Sequence, residues 1–218
     1  MARRAPISST RNTASFSRAQ GKKAPRSITL IVCEGETEQI YFAGVRQKFA
    51  LTTAEVVLPT NNVGPAPISV VDCAIEKAGE RGGYDHIFCV IDRDGHESFD
   101  RARQKIKEHA TLEEAPLPIK EAISIPCFEY WVLLHFEQTD SPFTNCDQAI
   151  GRVRHAHVPG YVKADAAVVK TLMPRLDTAI ANAVWAESRA EVDGFNPYTS
   201  VHNVIVHLKS VAQPSSPA

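Results

Sequence analysis

The chain has 218 residues, of which 44% are hydrophobic and 22% are charged, and its 24 basic side chains nearly balance 25 acidic ones. This composition is typical of a folded domain. It excludes a chain that is disordered throughout, which would combine low hydrophobicity with high net charge. No apolar run approaches the roughly 20 residues that span a bilayer, so we expect no membrane segment. The basic N-terminus is not followed by the apolar stretch of a secretory signal.

The balanced charge conceals an uneven distribution. Residues 1–26 contain seven basic side chains and no acidic one, so the rest of the chain carries a net charge of −8. Because this segment also shows no apolar periodicity, we predict a disordered basic arm. Such an arm could lie along the phosphate backbone of a nucleic acid. The alternative is a solubilising tail without a partner.

The cysteines do not suggest a covalent framework. Their number is odd and none are spaced as Cys-x-x-Cys; they are Cys33, Cys73, Cys89, Cys127 and Cys146. We therefore expect neither a disulfide framework nor a zinc site, and we favour a reducing, cytoplasmic location.

Hydrophobic periodicity predicts an α/β fold in the first two thirds of the chain. Short apolar runs rich in β-branched residues predict four strands, at residues 28–32, 54–58, 86–91 and 118–125. Helical spacing follows each strand, as in Ile68, Val71 and Ile75. This alternation is typical of an open, mostly parallel four-stranded sheet with helices on both faces, which we assign to residues 27–137.

From residue 138 onward the pattern is helical. Helices are predicted at residues 146–155, at residues 166–189, and from Thr199 or Ser200 to Lys209. We interpret residues 138–211 as a helical extension that shares the core of the α/β domain, and residues 212–218 as a flexible tail.

Acidic residues follow two of the predicted strands. Glu34 comes after the first strand, and Asp92 and Asp94 come at the end of the third. Ligands of open parallel sheets bind beyond the carboxyl ends of the strands, and residues i and i+2 of an extended segment project to the same side. If the two strands are neighbours, the three carboxylates converge, and their repulsion favours a hard divalent cation such as Mg²⁺ or Mn²⁺. Alternatively, Asp92 caps the following helix and Glu34 lies in an exposed turn.

Several motifs resemble those of the RloB-like family. They are Val-Cys-Glu-Gly-Glu-Thr-Glu at 32–38, Asp-Arg-Asp-Gly-His at 92–96 and Pro-Cys-Phe-Glu-Tyr-Trp-Val-Leu-Leu-His-Phe at 126–136. Segments 161–163 and 196–201 match its C-terminal half, so the resemblance covers residues 27–210. That family is similar to TOPRIM proteins, the fold of topoisomerases, primases and OLD-type nucleases. Their signature is a glutamate after the first strand and an Asp-x-Asp after a later one.

The resemblance implies which residues form the site. Glu34 matches the TOPRIM glutamate, and Asp92 with Asp94 matches the metal-binding pair. OLD-type nucleases have a further glutamate in a place comparable to Glu129, which lies in an apolar helix where an unpartnered carboxylate is costly. The alternative for Glu129 is the exposed face of an amphipathic helix. Proteins of this kind are often encoded beside an ATPase and implicated in phage defence, which implies an ATPase partner.

Our leading hypothesis is Mg²⁺- or Mn²⁺-dependent hydrolysis of phosphodiester bonds in DNA or RNA. The expected catalytic metal ligands are Glu34, Asp92, Asp94 and Glu129. Weaker candidates, which would contact the substrate, are Glu38, His96 and Lys163.

Two other functions remain open from the sequence. Val-Ile-Asp-Arg-Asp-Gly resembles the nucleophile motif of haloacid-dehalogenase phosphatases, in which Asp92 would be phosphorylated, although the motif lies in mid-chain and His96 replaces the usual threonine. The chain could instead be a non-catalytic module that binds nucleic acid or an ATPase. Neither the substrate's identity as DNA, RNA or tRNA nor assembly into a homo-oligomer follows from the sequence.

Overall fold

The computed structural model describes residues 27–60, 64, 66–189 and 196–212. The predicted basic arm at residues 1–26 and residues 213–218 of the predicted tail therefore lie outside the described residues. Within the described ranges, no helix combines the length and the apolar character needed to cross a bilayer.

The protein has an α/β fold built on a five-stranded sheet. Its strands are β1 (Thr29–Cys33), β2 (Ala54–Val57), β3 (His86–Asp92), β4 (Ile119–Ile125) and β5 (Tyr198–Thr199). They lie in the order β2-β1-β3-β4-β5, with β1 to β4 parallel and β5 antiparallel to β4. Each of the four predicted strands is present within one residue of its expected bounds.

The predicted count of four strands was wrong, because β5 forms a fifth. This strand has only two residues, which pair with Ser124 and Ile125 of β4. A two-residue strand shows no alternation of hydrophobic and polar side chains, so the periodicity that identified the other strands is missing. Its antiparallel pairing is compatible with the rule that edge strands of parallel sheets often run in the opposite direction.

Helices cover both faces of the sheet. They are α1 (Glu36–Lys48), α2 (Pro67–Arg81), α3 (Phe99–Ala110), α4 (Glu129–Leu134), α5 (Cys146–Arg152), α6 (Ala166–Leu172), α7 (Leu176–Arg189) and α8 (Val201–Val211). Alternate residues of β1 point to opposite sides. Leu30 and Val32 join the core formed with α2 and α3, whereas Ile31 and Cys33 join the core formed with α1 and α4 to α8.

The C-terminal helices differ from the predicted ones in where they break. The predicted helix at 166–189 is divided into α6 and α7 by a 3-10 turn at Met173–Arg175. Pro174 explains the division, since proline lacks the N–H that would continue an α-helix and its ring collides with the preceding turn. The predicted helix at 146–155 is α5 followed by a π-helical segment, Val153–His157.

Helix α1 packs so closely on α6 that a glycine is required between them. A Cβ atom added at Gly44 would lie 2.5 Å from Cγ1 of Val169. The valine is buried and β-branched, so its side chain has little freedom to move aside. By contrast, a Cβ atom added at Gly79 of α2 would meet nothing within 4 Å.

These two glycines should respond oppositely to the same substitution. We expect Gly44→Ala to lower the free energy of unfolding by about 1–3 kcal/mol, because overpacking outweighs the gain in helix propensity. Gly79→Ala, the matched control, should raise it by about 0.5–1 kcal/mol, since only the propensity term changes. Urea unfolding at unchanged m-value measures both. A stabilised Gly44→Ala variant would contradict the close α1–α6 packing.

Candidate metal centre

The carboxyl ends of β1 and β3 place Glu34 beside Asp92. These strands are neighbours in the sheet, with Cys33 opposite Val90, so they end at the same edge. The carboxylate Oε2 of Glu34 accepts a hydrogen bond from the backbone N–H of Asp92 at 3.1 Å. The predicted convergence of these two acids, which required neighbouring strands, is therefore present.

Asp92 also contacts the start of α4. Its Oδ2 accepts a hydrogen bond from the backbone N–H of Phe128 at 3.0 Å. Its Oδ1 is buried and has no hydrogen-bond partner among the described residues. Burial raises the pKa of Asp92 well above its usual range, and the charges of Glu38, Glu34 and Glu129 raise it further against the opposing effect of the Phe128 N–H. A bound cation would satisfy both the orphaned oxygen and the excess negative charge.

Glu38 is more deeply placed than the sequence indicated. It lies in the first turn of α1, its side chain is buried, and its Oε2 accepts the backbone N–H of Gly35 at 3.0 Å. A Cβ atom at Gly35 would lie 2.9 Å from that oxygen, so the glycine allows the close approach. Burial raises the pKa of Glu38, and the charge of Glu129 adds to the effect while Lys163 opposes it.

Glu129, the first residue of α4, is buried and has polar partners. Its side chain is 1% exposed, and its Oε1 lies 3.2 Å from Nζ of Lys163. The same oxygen accepts a hydrogen bond from the Tyr161 hydroxyl at 3.3 Å. These contacts explain how an apolar helix tolerates a carboxylate, and they exclude the alternative of an exposed amphipathic face. Burial, followed by the charge of Glu129, raises the pKa of Tyr161.

Lys163 is the basic group that pairs directly with this carboxylate. Burial by itself would lower the pKa of Lys163, but Glu129, Asp92 and Glu38 outweigh that effect and raise it. The loop that carries the lysine is attached to α1, because the backbone N–H of Ala164 donates a 3.1 Å hydrogen bond to Oγ1 of Thr37. Tyr161 was not predicted as a site residue, although its place in segment 161–163 was a signal.

Asp94 and His96 follow β3 but have different surroundings. Asp94 is exposed, in a turn where Gly95 has a φ of +91°, a conformation that favours glycine. Asp94 nevertheless acts on Glu34 through its charge. Burial raises the pKa of Glu34 to about 7, the Asp92 N–H opposes this rise, and the charges of Asp94 and Glu38 add to it. His96 instead accepts the backbone N–H of Ser98 at Nδ1, 3.3 Å away, at the start of α3. That contact does not bring His96 to the carboxylates.

A cleft of about 600 Å³ lies beside Asp94, whereas Glu34, Glu38, Asp92 and Glu129 are not among the residues that line it. Its walls include Arg93 and Asp94 from the turn after β3, Asn145 and Cys146 from the start of α5, and Asn196. A ligand in this cleft would therefore lie between the turn after β3 and α5, with both a positive and a negative side chain within reach.

The carboxylates near Asp92 offer the donor type of a hard divalent cation, but among the described residues no three of them bring their ligand atoms within 4.8 Å of one another. Carboxylates gather at this edge of the described structure from Glu34, Glu38, Asp92, Asp94 and Glu129. Oxygen ligands are those that Mg²⁺ and Mn²⁺ prefer. A divalent ion would relieve the mutual repulsion of these buried carboxylates. Binding of Mg²⁺ or Mn²⁺ here therefore stays a prediction, and it requires the side chains to draw closer together than they stand in this structure.

One covalent bond was not expected. Cys127 and Cys146 form a disulfide with a Cα–Cα distance of 5.6 Å, and Sγ of Cys146 lies 3.3 Å from Oε2 of Glu129. The three other cysteines are free and buried. The prediction failed for this pair because a separation of 19 residues carries no recognisable spacing. The two sulfurs meet only because α4 and α5 pack together.

The fold and this acidic centre define an α/β protein with a carboxylate cluster at the carboxyl ends of neighbouring parallel strands. A family model described as RloB-like protein matches residues 29–208. The chain belongs to the RloB-like family, as its motifs indicated. Neither the curated proteins nor the solved structures include a match to this chain.

The raised pKa of Glu34 predicts a dependence of stability on pH. A carboxyl group with a pKa of about 7 in the folded protein and an ordinary value of 4.5 when unfolded favours folding only while it is protonated. Its contribution is complete below pH 4.5 and is lost as the pH rises through 7. Glu34→Gln should therefore stabilise the metal-free protein at pH 8 relative to wild type, on the order of 1–3 kcal/mol, and much less at pH 4.5.

Thermal unfolding in chelator at both pH values measures this difference, with about 2–4 °C expected per kcal/mol. The exposed Glu80 of α2 provides the control, because Glu80→Gln should show no comparable pH-dependent gain. Equal melting temperatures of Glu34→Gln and wild type at pH 8 would show that the ionised Glu34 carboxylate does not destabilise the folded protein.

The contact between Glu129 and Lys163 should appear as a coupling energy. Lys163→Met leaves a buried carboxylate without its cation, whereas the same change in a Glu129→Gln background leaves only a neutral amide. We expect a coupling of about 1 kcal/mol or more in urea unfolding, reduced from the value of a fully buried pair because Lys163 is half-exposed.

The matched control is the pair Lys105–Asp72, whose atoms approach at 2.7 Å near the surface between α3 and α2. Its coupling should be smaller, because solvent screens both charges. A coupling at Glu129–Lys163 no larger than that of the surface pair would contradict the buried ion pair.

Proposed function

We propose that the protein is a divalent-metal-dependent nuclease that hydrolyses phosphodiester bonds in DNA or RNA. The observation that carries the proposal is the buried, unpartnered Oδ1 of Asp92, surrounded by the charges of Glu34, Glu38 and Glu129. A purely structural carboxylate would be expected to have its hydrogen-bonding capacity satisfied. An oxygen left unsatisfied among like charges is instead typical of a cation site.

The residues that would hold Mg²⁺ or Mn²⁺ are Glu34, Asp92, Asp94 and Glu129, and the position of Glu38 adds it to this set. When bound, the ion supplies Lewis-acid polarisation of a phosphoryl oxygen. Oε2 of Glu34 is engaged by the Asp92 N–H, so its Oε1 would either complete the metal site or take a proton from the attacking water.

Positive groups near the cluster would position the phosphate. Nζ of Lys163 contacts Glu129 from a half-exposed position, so it can also face an anionic substrate. Arg93 lies in the wall of the 600 Å³ cleft that Asp94 borders. The basic segment at residues 1–26 would add sequence-independent attraction to the nucleic-acid backbone.

The family resemblance extends the proposal to fold type and cellular role. An acid after β1 and an Asp-x-Asp at the end of the neighbouring β3 support a TOPRIM-like domain, with residues 138–211 as its helical extension. By the same resemblance, the protein would act as a phage-defence effector with an ATPase partner.

The test is nucleic-acid cleavage by the purified full chain. We expect labelled duplex DNA, single-stranded DNA, RNA or tRNA to be cut with Mg²⁺ or Mn²⁺ and to survive in chelator. Asp92→Asn should lower the cleavage rate by about 100-fold or more, since even residues that only support metal ligands cost 10- to 100-fold. Asp72→Asn, the same change at an exposed aspartate on α2, should cut at the wild-type rate.

Equal cleavage by Asp92→Asn and wild type would reject the assignment of the site. Metal binding without cleavage of any of these substrates, with or without the ATPase, would favour a non-catalytic module. A phospho-aspartate trapped at Asp92 after incubation with a phosphate ester would favour the phosphatase alternative.

A further inference from the structure

Two sulfur atoms and one carboxylate lie together at the junction of α4 and α5. The possible ligand atoms of Cys127, Glu129 and Cys146 all lie within 4.8 Å of one another. Cys127 and Glu129 are each 1% exposed, so they are held in place by surrounding protein. This group differs in chemistry from the all-oxygen cluster around Asp92, with which it shares only Glu129.

We propose that, when the disulfide is reduced, these three residues bind one thiophilic divalent ion of the Zn²⁺ type. Two thiolates and a carboxylate are a zinc donor set, whereas Mg²⁺ avoids sulfur ligands. Three protein ligands are the number found in zinc sites that keep a fourth position for water or another small ligand.

The fourth position has access to solvent. Cys146 forms part of the wall of the 600 Å³ cleft, together with Asn145 and Asp147 of the same turn. Water from the cleft can therefore complete a tetrahedral set without any opening of the core around Cys127. The same access allows a reductant to reach the disulfide through Cys146.

The local charge balance also suits such an ion. Two thiolates and one carboxylate around a divalent cation leave a net charge of −1. Nζ of Lys163 lies 3.2 Å from Oε1 of Glu129 and 3.7 Å from Sγ of Cys146, so its positive charge neutralises the assembly. A complex with no net charge has the lowest desolvation cost when it is largely buried.

The disulfide and the metal complex exclude each other. Reduction breaks the S–S bond and adds two electrons and two protons; a phosphine reductant supplies the electrons and becomes its oxide with oxygen from water. Metal binding then releases the two thiol protons to solvent. In the oxidised protein neither sulfur carries a proton, so the 3.3 Å approach of Cys146 to Glu129 is a contact rather than a hydrogen bond.

The ion would draw Glu129 away from the oxygen cluster. The zinc-type site does not depend on the proposed nuclease activity, however, because its two thiolates and its metal are different and only Glu129 is common to both sites. Its test therefore measures binding and spectra and uses no nucleic acid.

The experiment is a titration of the phosphine-reduced full chain with Co²⁺, which replaces Zn²⁺ and reports its ligands by absorption. We expect one tetrahedral Co²⁺ per chain, reported by its visible bands and by a thiolate-to-cobalt charge-transfer band, and we expect both signals to be lost on adding one equivalent of Zn²⁺. The oxidised chain, identical in sequence, should show no charge-transfer band.

Variants locate the site. Cys146→Ser should lose the charge-transfer intensity of one thiolate and bind Co²⁺ about tenfold or more weaker. Glu129→Gln should keep both thiolate contributions and also bind about tenfold or more weaker. Cys73→Ser, which removes a cysteine on α2 in the other core, should titrate like wild type. Circular dichroism checks that each variant is folded.

Two results would overturn the proposal. One is a reduced wild-type chain that binds Co²⁺ with only weak octahedral bands and no charge transfer. The other is a charge-transfer band that persists unchanged in Cys146→Ser, which would place the thiolate ligands elsewhere. If Cys146→Ser does not fold, the comparison of oxidised with reduced wild type decides alone.

Discussion

Asp92 joins three parts of the chain at the edge of the sheet through its backbone and its side chain. Its N–H donates to Glu34 after β1, and its carboxylate accepts the N–H of Phe128 at the start of α4. These two hydrogen bonds require β1 and β3 to be neighbours and α4 to begin directly beyond them. Helix α1 then places Glu38 near Asp92, and helix α4 places Glu129 there.

The same arrangement has an energetic cost that the fold must tolerate. Burial and mutual repulsion raise the pKa values of Glu34, Glu38 and Asp92. Functional sites commonly retain such unfavourable groupings, which the rest of the structure stabilises. Here the central strands are buried on both faces between two hydrophobic cores, and these hold the strand ends in position.

Local sequence patterns revealed one part of the site and concealed another. Glu34 and Asp92 could be identified because each comes at the end of a continuous apolar run, and strand ends are predictable places for ligands. Glu38 looked like an ordinary acidic residue of a first helical turn, where negative charge is favourable anyway. Its burial is visible only in the structure, where Gly35 allows its carboxylate to approach the backbone and segment 161–164 is hydrogen-bonded to the same helix.

The sequence by itself determined the α/β class, the four main strands, the helices between them, the family and the acids at two strand ends. These follow from local periodicity and from motifs that are contiguous along the chain. Only the tertiary structure decided the fifth strand, the pairing of Glu129 with Tyr161 and Lys163, and the meeting of Cys127 with Cys146. Each joins residues far apart in sequence, and such contacts depend on how complete elements pack against one another.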